Sequence, residues 1–237
     1  MVCANRDCPF YELHAENGPF SVADIQCIIT DAVQQVTFHE SEVLFQWGQP
    51  SSRLYALTSG MVKIGYHSCD GREQIVGLSS PGNLLVGLQS INDEHYAYSA
   101  TAITEVRACK INHSILLARV QDRGDLAIRL IDAVNAQLAH SRALMQVLGH
   151  TSAAAKVASF ILLMTPKSQH GNCWFSLPFS RMEIANLLGM SEETVCRIMA
   201  DMKRRGVVYS PRGHIEIRNH DRLQAIAAGA TSRRHHS

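Results

Sequence analysis

The sequence lacks the features that would mark a membrane protein, a secreted protein or an enzyme. It has no apolar run long enough to span a membrane, and its polar start, MVCANRDC, has no signal-peptide core. It contains no nucleophile–base motif, no phosphate-binding loop and no zinc signature. We therefore expect a cytoplasmic protein that is not an enzyme and has no membrane partner.

The cysteine content argues against a disulfide framework. Seven cysteines is an odd number, and a chain of 237 residues with 46% hydrophobic content can bury substantial cores without covalent cross-links. Reduced thiols, metal ligands or redox-sensing thiols are the expected uses of these cysteines.

The small net charge of +1 hides a difference between two parts of the chain. Residues 1–150 carry ten Lys and Arg against fifteen Asp and Glu, whereas residues 151–237 carry twelve against six. An acidic first part and a basic second part indicate a sensor joined to a module that binds a polyanion.

Residues 180–206, SRMEIANLLGMSEETVCRIMADMKRRG, have the pattern of two capped helices joined by a glycine turn. Ser180 followed three residues later by Glu183 is the signature of a capping box. Gly189 can end the first helix in the left-handed conformation, and Ser191 can cap the second helix. This spacing predicts a helix-turn-helix.

The second predicted helix has an apolar side and a side suited to reading DNA. The apolar stripe follows helical spacing and comprises Val195, Ile198, Met199 and Met202. On the opposite side, Arg197 can donate a bidentate pair to guanine and Glu193 can accept from cytosine N4. A surface salt bridge between Glu193 and Arg197 is the alternative interpretation. The caps, the glycine turn and the basic flank formed by residues 203–205 favour double-stranded DNA as partner. The predicted base-reading residues are Glu193, Cys196 and Arg197.

This stretch resembles the DNA-binding element of the CRP/FNR family of bacterial transcription regulators. The recognition helix of that family carries a Glu-Thr-Val/Ile-x-Arg core, matched here by residues 193–197. The variable position is normally Ser in the FNR branch and is Cys196 here, so the resemblance carries over the roles of Glu193 and Arg197 only. The resemblance also implies RNA polymerase as a partner.

Helix starts and a hairpin tip supply candidates for phosphate contacts, which set the register on DNA without reading sequence. Residues 207–209 and 214–217 flank the turn SPRG and predict a β-hairpin wing. The candidate phosphate contacts are Arg181, Ser191, Thr194, Arg204 and Arg212. A solvated surface position is the alternative for each of them.

Residues 36–111 have a different pattern, with short strands separated by glycine. The glycines recur every 11 or 12 residues, at Gly48, Gly60, Gly71 and Gly82. Asp70-Gly71 is a hairpin signal, and the strings LYALTSGMVK, DGREQI and PGNL resemble the β-roll sensor domain of the same family. We predict an α+β fold with an N-terminal antiparallel β-roll of the cyclic-nucleotide-binding type, a long dimerisation helix and a C-terminal winged helix-turn-helix.

Cyclic AMP is not expected as the effector. In the cyclic-nucleotide-binding relatives that the β-roll resembles, an Arg-Ser pair holds the cyclic phosphate. Tyr98-Ser99 stands at that place, and no Lys or Arg lies between Arg72 and Arg107. Burying a phosphate without a cationic partner would be costly, unless backbone amides alone bound it.

Residues 113–150 hold no proline and predict a long helix followed by a hinge. Its apolar residues follow a heptad rhythm, with Ser141 at one core position, and are Ile131, Val134, Leu138, Met145 and Leu148. Packing of this stripe on the β-roll is one possibility. A helix-turn-helix protein reads half-sites one DNA turn apart, which favours a parallel homodimer instead.

The resemblance also implies a signal. In the FNR branch, three N-terminal cysteines and one in the β-roll hold an oxygen-labile [4Fe-4S] cluster. Cys109 matches the internal ligand, while Cys3, Cys8 and His14 give an altered leader pattern in which histidine replaces one thiolate. Ordinary buried or leader cysteines are the alternative. Oxidation of Cys196 and non-covalent haem are two further signals that stay open.

Together these patterns predict a homodimeric regulator that binds palindromic promoter sites and responds to oxygen, nitric oxide or redox state. A signal-independent DNA-binding protein is the alternative.

Residues 22–36 are predicted as a short amphipathic helix. The predicted parts are a cysteine-containing leader (1–20), the β-roll (21–112), the dimerisation helix and hinge (113–150), the winged helix-turn-helix domain (151–230) and a disordered tail (231–237).

Overall fold

A computed structural model describes residues 33–67, 73–80, 86–87, 93–122, 124–166, 173–211 and 213–229. Contacts divide the chain into two compact units, Met1–Ala139 and His140–Ser237. The division falls within a long helix, Gly124–Gly149.

The first unit contains two antiparallel sheets. Its strands are β1 (Val33–Phe38), β2 (Val43–Phe45), β3 (Arg53–Ser59), β4 (Val62–His67), β5 (Glu73–Ser79), β6 (Ser99–Ala102) and β7 (Val106–Asn112). One sheet has the order β2-β6-β4-β5 and the other the order β1-β7-β3. The predicted antiparallel β-roll is confirmed.

The helix predicted over residues 22–36 is wrong at its C-terminal end, where strand β1 begins at Val33. Residues 33–36 lie in β1, where Val33 pairs with Ile111 and Val36 pairs with Ala108 of β7. The sequence VQQVTF is rich in β-branched residues, which favour a strand once a pairing partner is available. The rest of that predicted helix lies outside the described residues.

The glycine-punctuated turns behave as the sequence predicts where they are described. Gly60 follows β3 with φ +85°, and a Cβ added there would collide with the backbone carbonyl oxygen of Glu105, so glycine is required. Strands β4 and β5 pair from Val62–Ser79 to His67–Glu73, which confirms the hairpin. Its predicted turn, Asp70-Gly71, lies outside the described residues.

Four aromatic side chains pack together among aliphatic ones in the described part of the roll interior. The ring of Phe45 stacks on Tyr96 with centroids 3.8 Å apart and lies 6.1 Å from Tyr55 and 5.7 Å from Tyr98. The Tyr96 hydroxyl donates to the carbonyl oxygen of Arg53 at 2.6 Å, and burial raises the pKa of Tyr96 to about 12. The hydroxyl is therefore a protonated part of the core at physiological pH.

The predicted helical region forms two helices, α1 (His113–Asp122) and α2 (Gly124–Gly149). The heptad residues of α2 are all exposed: Ile131, Val134, Leu138, Met145 and Leu148. Leu144 and Val147 lie on another face of the same helix and are buried. Helix α2 therefore has one apolar face packed within the chain and a second apolar face that no other described part of the chain covers.

The second unit combines helices with a small antiparallel sheet of order β8-β10-β9. Its elements are α3 (Ala153–Met164), β8 (Trp174–Ser176), α4 (Arg181–Leu188), α5 (Glu192–Arg204), β9 (Val208–Tyr209), β10 (His214–Ile217) and α6 (His220–Ala227). The predicted helix-turn-helix and hairpin wing are confirmed. Strand β8 has three residues, and α6, capped by the Asn219 side chain, was not predicted from the sequence.

Candidate nucleic-acid interface

Local hydrogen bonds fix the two helices α4 and α5 at their ends. The Ser180 hydroxyl accepts from the Glu183 backbone N–H at 3.1 Å, and the Ser180 backbone N–H donates to Glu183 Oε2 at 2.9 Å. Gly189 ends α4 with φ +64°, and the Ser191 hydroxyl accepts from the Thr194 backbone N–H at 3.2 Å. The predicted capping box, glycine turn and second cap are therefore confirmed.

Helix α5 separates apolar and polar side chains as its spacing predicts. Val195, Met199 and Met202 are buried, and Ile198 is half-buried. The predicted base-reading residues Glu193, Cys196 and Arg197 are all exposed. The structure thus presents these three side chains together on one accessible face, and their contacts with bases stay a prediction.

The salt-bridge interpretation of Glu193 and Arg197 finds no support in this geometry. In the part of the chain that the structure describes, no ion pair joins these two side chains. Asp201 pairs instead with Arg204 and with Arg205, whose Nε lies 2.8 Å from the Asp201 Oδ2 atom. The Arg197 guanidinium is therefore not tied to the carboxylate one turn away.

Three of the candidate phosphate contacts belong to the N-terminal cap and the surface of α5. The hydroxyl oxygens of Ser191 and Thr194 lie 2.8 Å apart at the start of the helix. Arg204 is exposed and pairs with Asp201 of the same helix. These side chains lie where a phosphate could reach them, and their role in DNA binding stays a prediction.

Arg181, a further candidate phosphate contact, has a partner in the wing. We use "wing" for β9, β10 and the turn between them. The Arg181 Nη2 donates to the Ser210 hydroxyl at 2.9 Å, and Ser210 in turn donates to the carbonyl oxygen of His214 at 3.3 Å. Arg212, the predicted contact at the wing tip, lies outside the described residues.

A second link joins the helix-turn-helix to the wing, and it was not predicted from the sequence. The ring of Tyr209 contacts two cations, with the Lys203 Nζ 5.3 Å and the Arg218 guanidinium carbon 4.7 Å from its centroid. Both distances are within the range of a cation–π interaction. Lys203 belongs to the basic flank recognised in the sequence, but spacing alone could not predict that Tyr209 is its aromatic partner.

A groove of about 710 Å³ lies beside the exposed face of α5 and is lined by α3, α5 and α6. Its charged lining consists of Arg197, Arg204, Arg205, Arg222 and Asp201. Four guanidinium groups against one carboxylate make the groove positive, which is the sign that a DNA backbone requires.

In the first unit, Cys109 lies on a buried face of the sheet. It pairs with Gln35 of β1 and Ala56 of β3. Because side chains alternate along a strand, Cys109 is on the sheet face that points away from the roll interior, to which the neighbouring Ala108 belongs. Its side chain is 4% exposed. Cys3, Cys8 and His14 lie outside the described residues, and the described ranges contain no group of three or more His, Cys, Asp or Glu that could hold a metal ion.

The Tyr98-Ser99 pair is used by the fold itself. Tyr98 is buried in the aromatic interior, and the Ser99 hydroxyl accepts from the Trp47 backbone N–H at 3.0 Å. Neither side chain carries a positive charge that could pair with a phosphate.

The β-roll, the helix-turn-helix and the exposed face of α5 define a DNA-binding protein with a β-roll as its first unit. The family described as cyclic nucleotide-binding domain matches residues 35–123, and the family described as Crp-like helix-turn-helix domain matches residues 155–226. No helix in the described ranges has the length and apolarity needed to cross a membrane.

Known proteins with similar sequences and structures are transcription regulators. The nitrogen fixation regulation protein FixK of Bradyrhizobium diazoefficiens is 30% identical, with 82% of each chain covered. The CRP-like cAMP-activated global transcriptional regulator of Mycobacterium tuberculosis is 29% identical over 90% of this chain and 97% of that protein. The structure of FixK2 from Bradyrhizobium japonicum matches with a TM-score of 0.73 and 26% identity, covering 84% of this chain and 99% of that one. The chain belongs to the CRP/FNR family and is a DNA-binding transcription regulator, not an enzyme.

Proposed function

We propose that this regulator binds palindromic promoter sites as a parallel homodimer and that its activity follows oxygen, nitric oxide or redox state. The observation that supports a dimer is the uncovered apolar face of α2, where Ile131, Met145 and the other heptad residues are exposed. At 1.5 Å per residue the helix is about 39 Å long, so its seam is long enough to hold two chains together. A second chain supplies a second reading helix for the other half-site.

In each half-site, Glu193 and Arg197 read a G·C pair and Cys196 contacts a neighbouring base. The exposure of all three side chains and the absence of an ion pair between Glu193 and Arg197 in the described structure support this assignment. The positive groove beside α5 supports the proposal that the DNA backbone passes next to this helix. The promoter-bound dimer then acts through RNA polymerase, the partner that the family resemblance implies.

The proposed signal acts through an iron–sulfur cluster held by Cys3, Cys8, His14 and Cys109. When bound, a [4Fe-4S] cluster supplies a redox- and oxygen-reactive centre that thiolate and imidazole ligands can hold. The burial of Cys109 supports its use as a ligand, because a thiolate on that sheet face is shielded from solvent. Cys3, Cys8 and His14 are proposed as the remaining ligands from the sequence pattern alone.

Cyclic AMP is not the proposed signal, although one similar regulator is named as cAMP-activated. The buried Tyr98 and the internally bonded Ser99 support this proposal, since they replace the cation-bearing pair that a cyclic phosphate would need. Calorimetric titration with cyclic AMP should give no heat of binding. Saturable binding that enhances DNA affinity would overturn the proposal.

Cys196 offers a second route for redox control. It is exposed on the reading face of α5, so its oxidation would place a bulkier, charged group between the helix and the bases. This route needs no cluster. It predicts that peroxide weakens DNA binding of the wild-type chain and leaves Cys196→Ser unaffected.

The deciding experiment measures iron, acid-labile sulfide and the visible spectrum of protein purified without oxygen, together with its affinity for selected palindromic DNA. About four irons per chain are expected, with loss of the spectrum and of DNA affinity in air. Cys109→Ala should lose the iron, whereas the matched variant Cys173→Ala, in the second unit, should keep it. Absence of iron would overturn the cluster, and absence of salt-dependent palindrome binding would overturn the DNA assignment.

A further inference from the structure

Two consecutive residues of the wing are each held by a cation from a different helix of the helix-turn-helix. Ser210 accepts a hydrogen bond from Arg181, the first residue of α4, and Tyr209 lies under Lys203 near the end of α5. Arg181 and Ser210 are both half-buried and are 29 positions apart in the sequence. The wing is therefore tied to both helices through side chains, at the point where β9 ends.

The Arg181 hydrogen bond reaches further into the wing turn through Ser210. The Ser210 hydroxyl donates to the His214 carbonyl oxygen, and the His214 backbone N–H donates to the Pro211 carbonyl oxygen at 3.2 Å. On the other side of the turn, the Leu177 backbone N–H donates to the Gly213 carbonyl oxygen at 3.0 Å. A single guanidinium thus anchors one end of a short chain of hydrogen bonds that closes the turn.

We infer that Arg181 is a positioning residue that fixes the wing against α4 through Ser210, and that its contribution to DNA binding passes through the wing. This inference rests on the proposed function, since it concerns the same DNA-binding unit. A cation at a helix start can serve a phosphate equally well, but here the described partner of its Nη2 atom is the Ser210 hydroxyl. An Arg hydrogen bond to a half-buried hydroxyl loses less side-chain entropy than a flexible surface contact, because the planar group is preorganised.

The two roles make different predictions for Ser210. If Arg181 positions the wing, removing the Ser210 hydroxyl breaks the same link and must reproduce the effect of removing Arg181. If Arg181 contacts a phosphate directly, Ser210 is dispensable, and only the loss of the arginine lowers the salt dependence of DNA binding, by about 0.9 in the log–log slope.

The experiment compares wild type, Arg181→Ala, Ser210→Ala and the double variant as full-length proteins. Hydrogen exchange without DNA is followed at the amides of Leu177 and His214, which close the wing turn. Both single variants should exchange faster at these amides, on the order of tenfold, the change expected when one charge-assisted hydrogen bond is lost. The double variant should be no faster than either single variant, because all three lack the same link.

The same four proteins are then titrated with palindromic DNA at several salt concentrations. Arg181→Ala and Ser210→Ala should lose affinity by the same factor and show the same salt slope. Arg204→Ala is the control, which should lower the salt slope and leave exchange in the wing unchanged. Wild-type wing exchange and affinity in Ser210→Ala, with a lower salt slope in Arg181→Ala, would overturn the inference. If the wild-type chain does not bind the palindrome, the proposed function fails, while the exchange comparison still decides the link between Arg181 and Ser210.

Discussion

Leu144 and Met145 are neighbours in α2 but have opposite environments, since Leu144 is 4% exposed and Met145 is 62% exposed. The helical rotation of about 100° between them places Leu144 on the face that packs within the chain and Met145 on the face that stays open. One helix therefore has two separate apolar faces, of which the chain itself uses only one.

This difference predicts two different outcomes for substitutions on α2. Met145→Glu should dissociate the proposed dimer without unfolding the chain, because it places a carboxylate in an apolar seam between chains but not in the core of one chain. Leu144→Ala should instead lower the free energy of unfolding by about 2–5 kcal/mol, the range for a buried leucine. Analytical ultracentrifugation and urea titration measure the two effects.

Gln146→Glu provides the control for the dimer prediction. Gln146 is exposed and follows Met145 directly, but it lies outside the heptad positions. It introduces the same charge at nearly the same point of the helix, so it should leave the sedimentation coefficient unchanged. Equal dissociation of both variants would mean that charge alone, and not burial at position 145, opposes association.

Base reading by α5 is tested by Arg197→Ala. The variant should lose about 1–3 kcal/mol of binding free energy and relax the preference at one base pair of each half-site, as expected for a lost bidentate guanine contact. Binding selection from a randomised palindrome library measures that preference.

Arg204→Ala is the matched control, since it removes an arginine from the same helix. It should weaken all sequences alike and lower the salt slope by about 0.9 if Arg204 neutralises one phosphate. An unchanged preference in Arg197→Ala would show that the side chain does not read bases.

The parts that could be predicted from the sequence are those fixed by local chemistry. The caps Ser180 and Ser191 and the left-handed Gly189 depend on interactions within three or four residues, so their pattern predicts the helix-turn-helix correctly. The β4–β5 hairpin was predictable for the same reason, because a turn signal stood between two short apolar runs.

The parts that could not be predicted depend on partners distant in sequence. Residues 33–36 have helical spacing of apolar residues, yet they form a strand because β7 supplies hydrogen bonds from more than seventy positions away. Likewise, Arg181 suggests a phosphate contact from its place at a helix start, and only the fold brings Ser210 to it. Local patterns carry no information on such pairings.

The capping box predicts a measurable loss on substitution. Ser180→Ala removes the hydroxyl that accepts from the Glu183 amide, and it should lower the free energy of unfolding by about 1 kcal/mol. Glu183→Gln keeps an oxygen that can accept from the Ser180 amide and should cost less. Urea titration monitored by circular dichroism measures both, and a larger loss for the glutamine variant would contradict the assigned geometry.

His113 predicts a specific pH dependence of stability. It is the first residue of α1, is 7% exposed, and its Nε2 has no hydrogen-bond partner in the described structure. Burial, and secondly the nearby positive charge of Arg53, lowers the pKa of His113 below its ordinary value. The folded chain therefore binds this proton less readily than the unfolded chain.

The sign of the effect follows from this difference in proton binding. Above the ordinary histidine pKa of about 6.5, His113 is neutral in both states and contributes no pH dependence. As the pH falls below that value, the unfolded chain takes up the proton first, so the free energy of unfolding falls until the pH reaches the lowered folded pKa. Urea midpoints at pH 7.5 and 5.5 should therefore differ more for wild type than for His113→Phe, which cannot titrate. Equal shifts in the two proteins would show that His113 does not contribute, because the other eleven histidines are common to both.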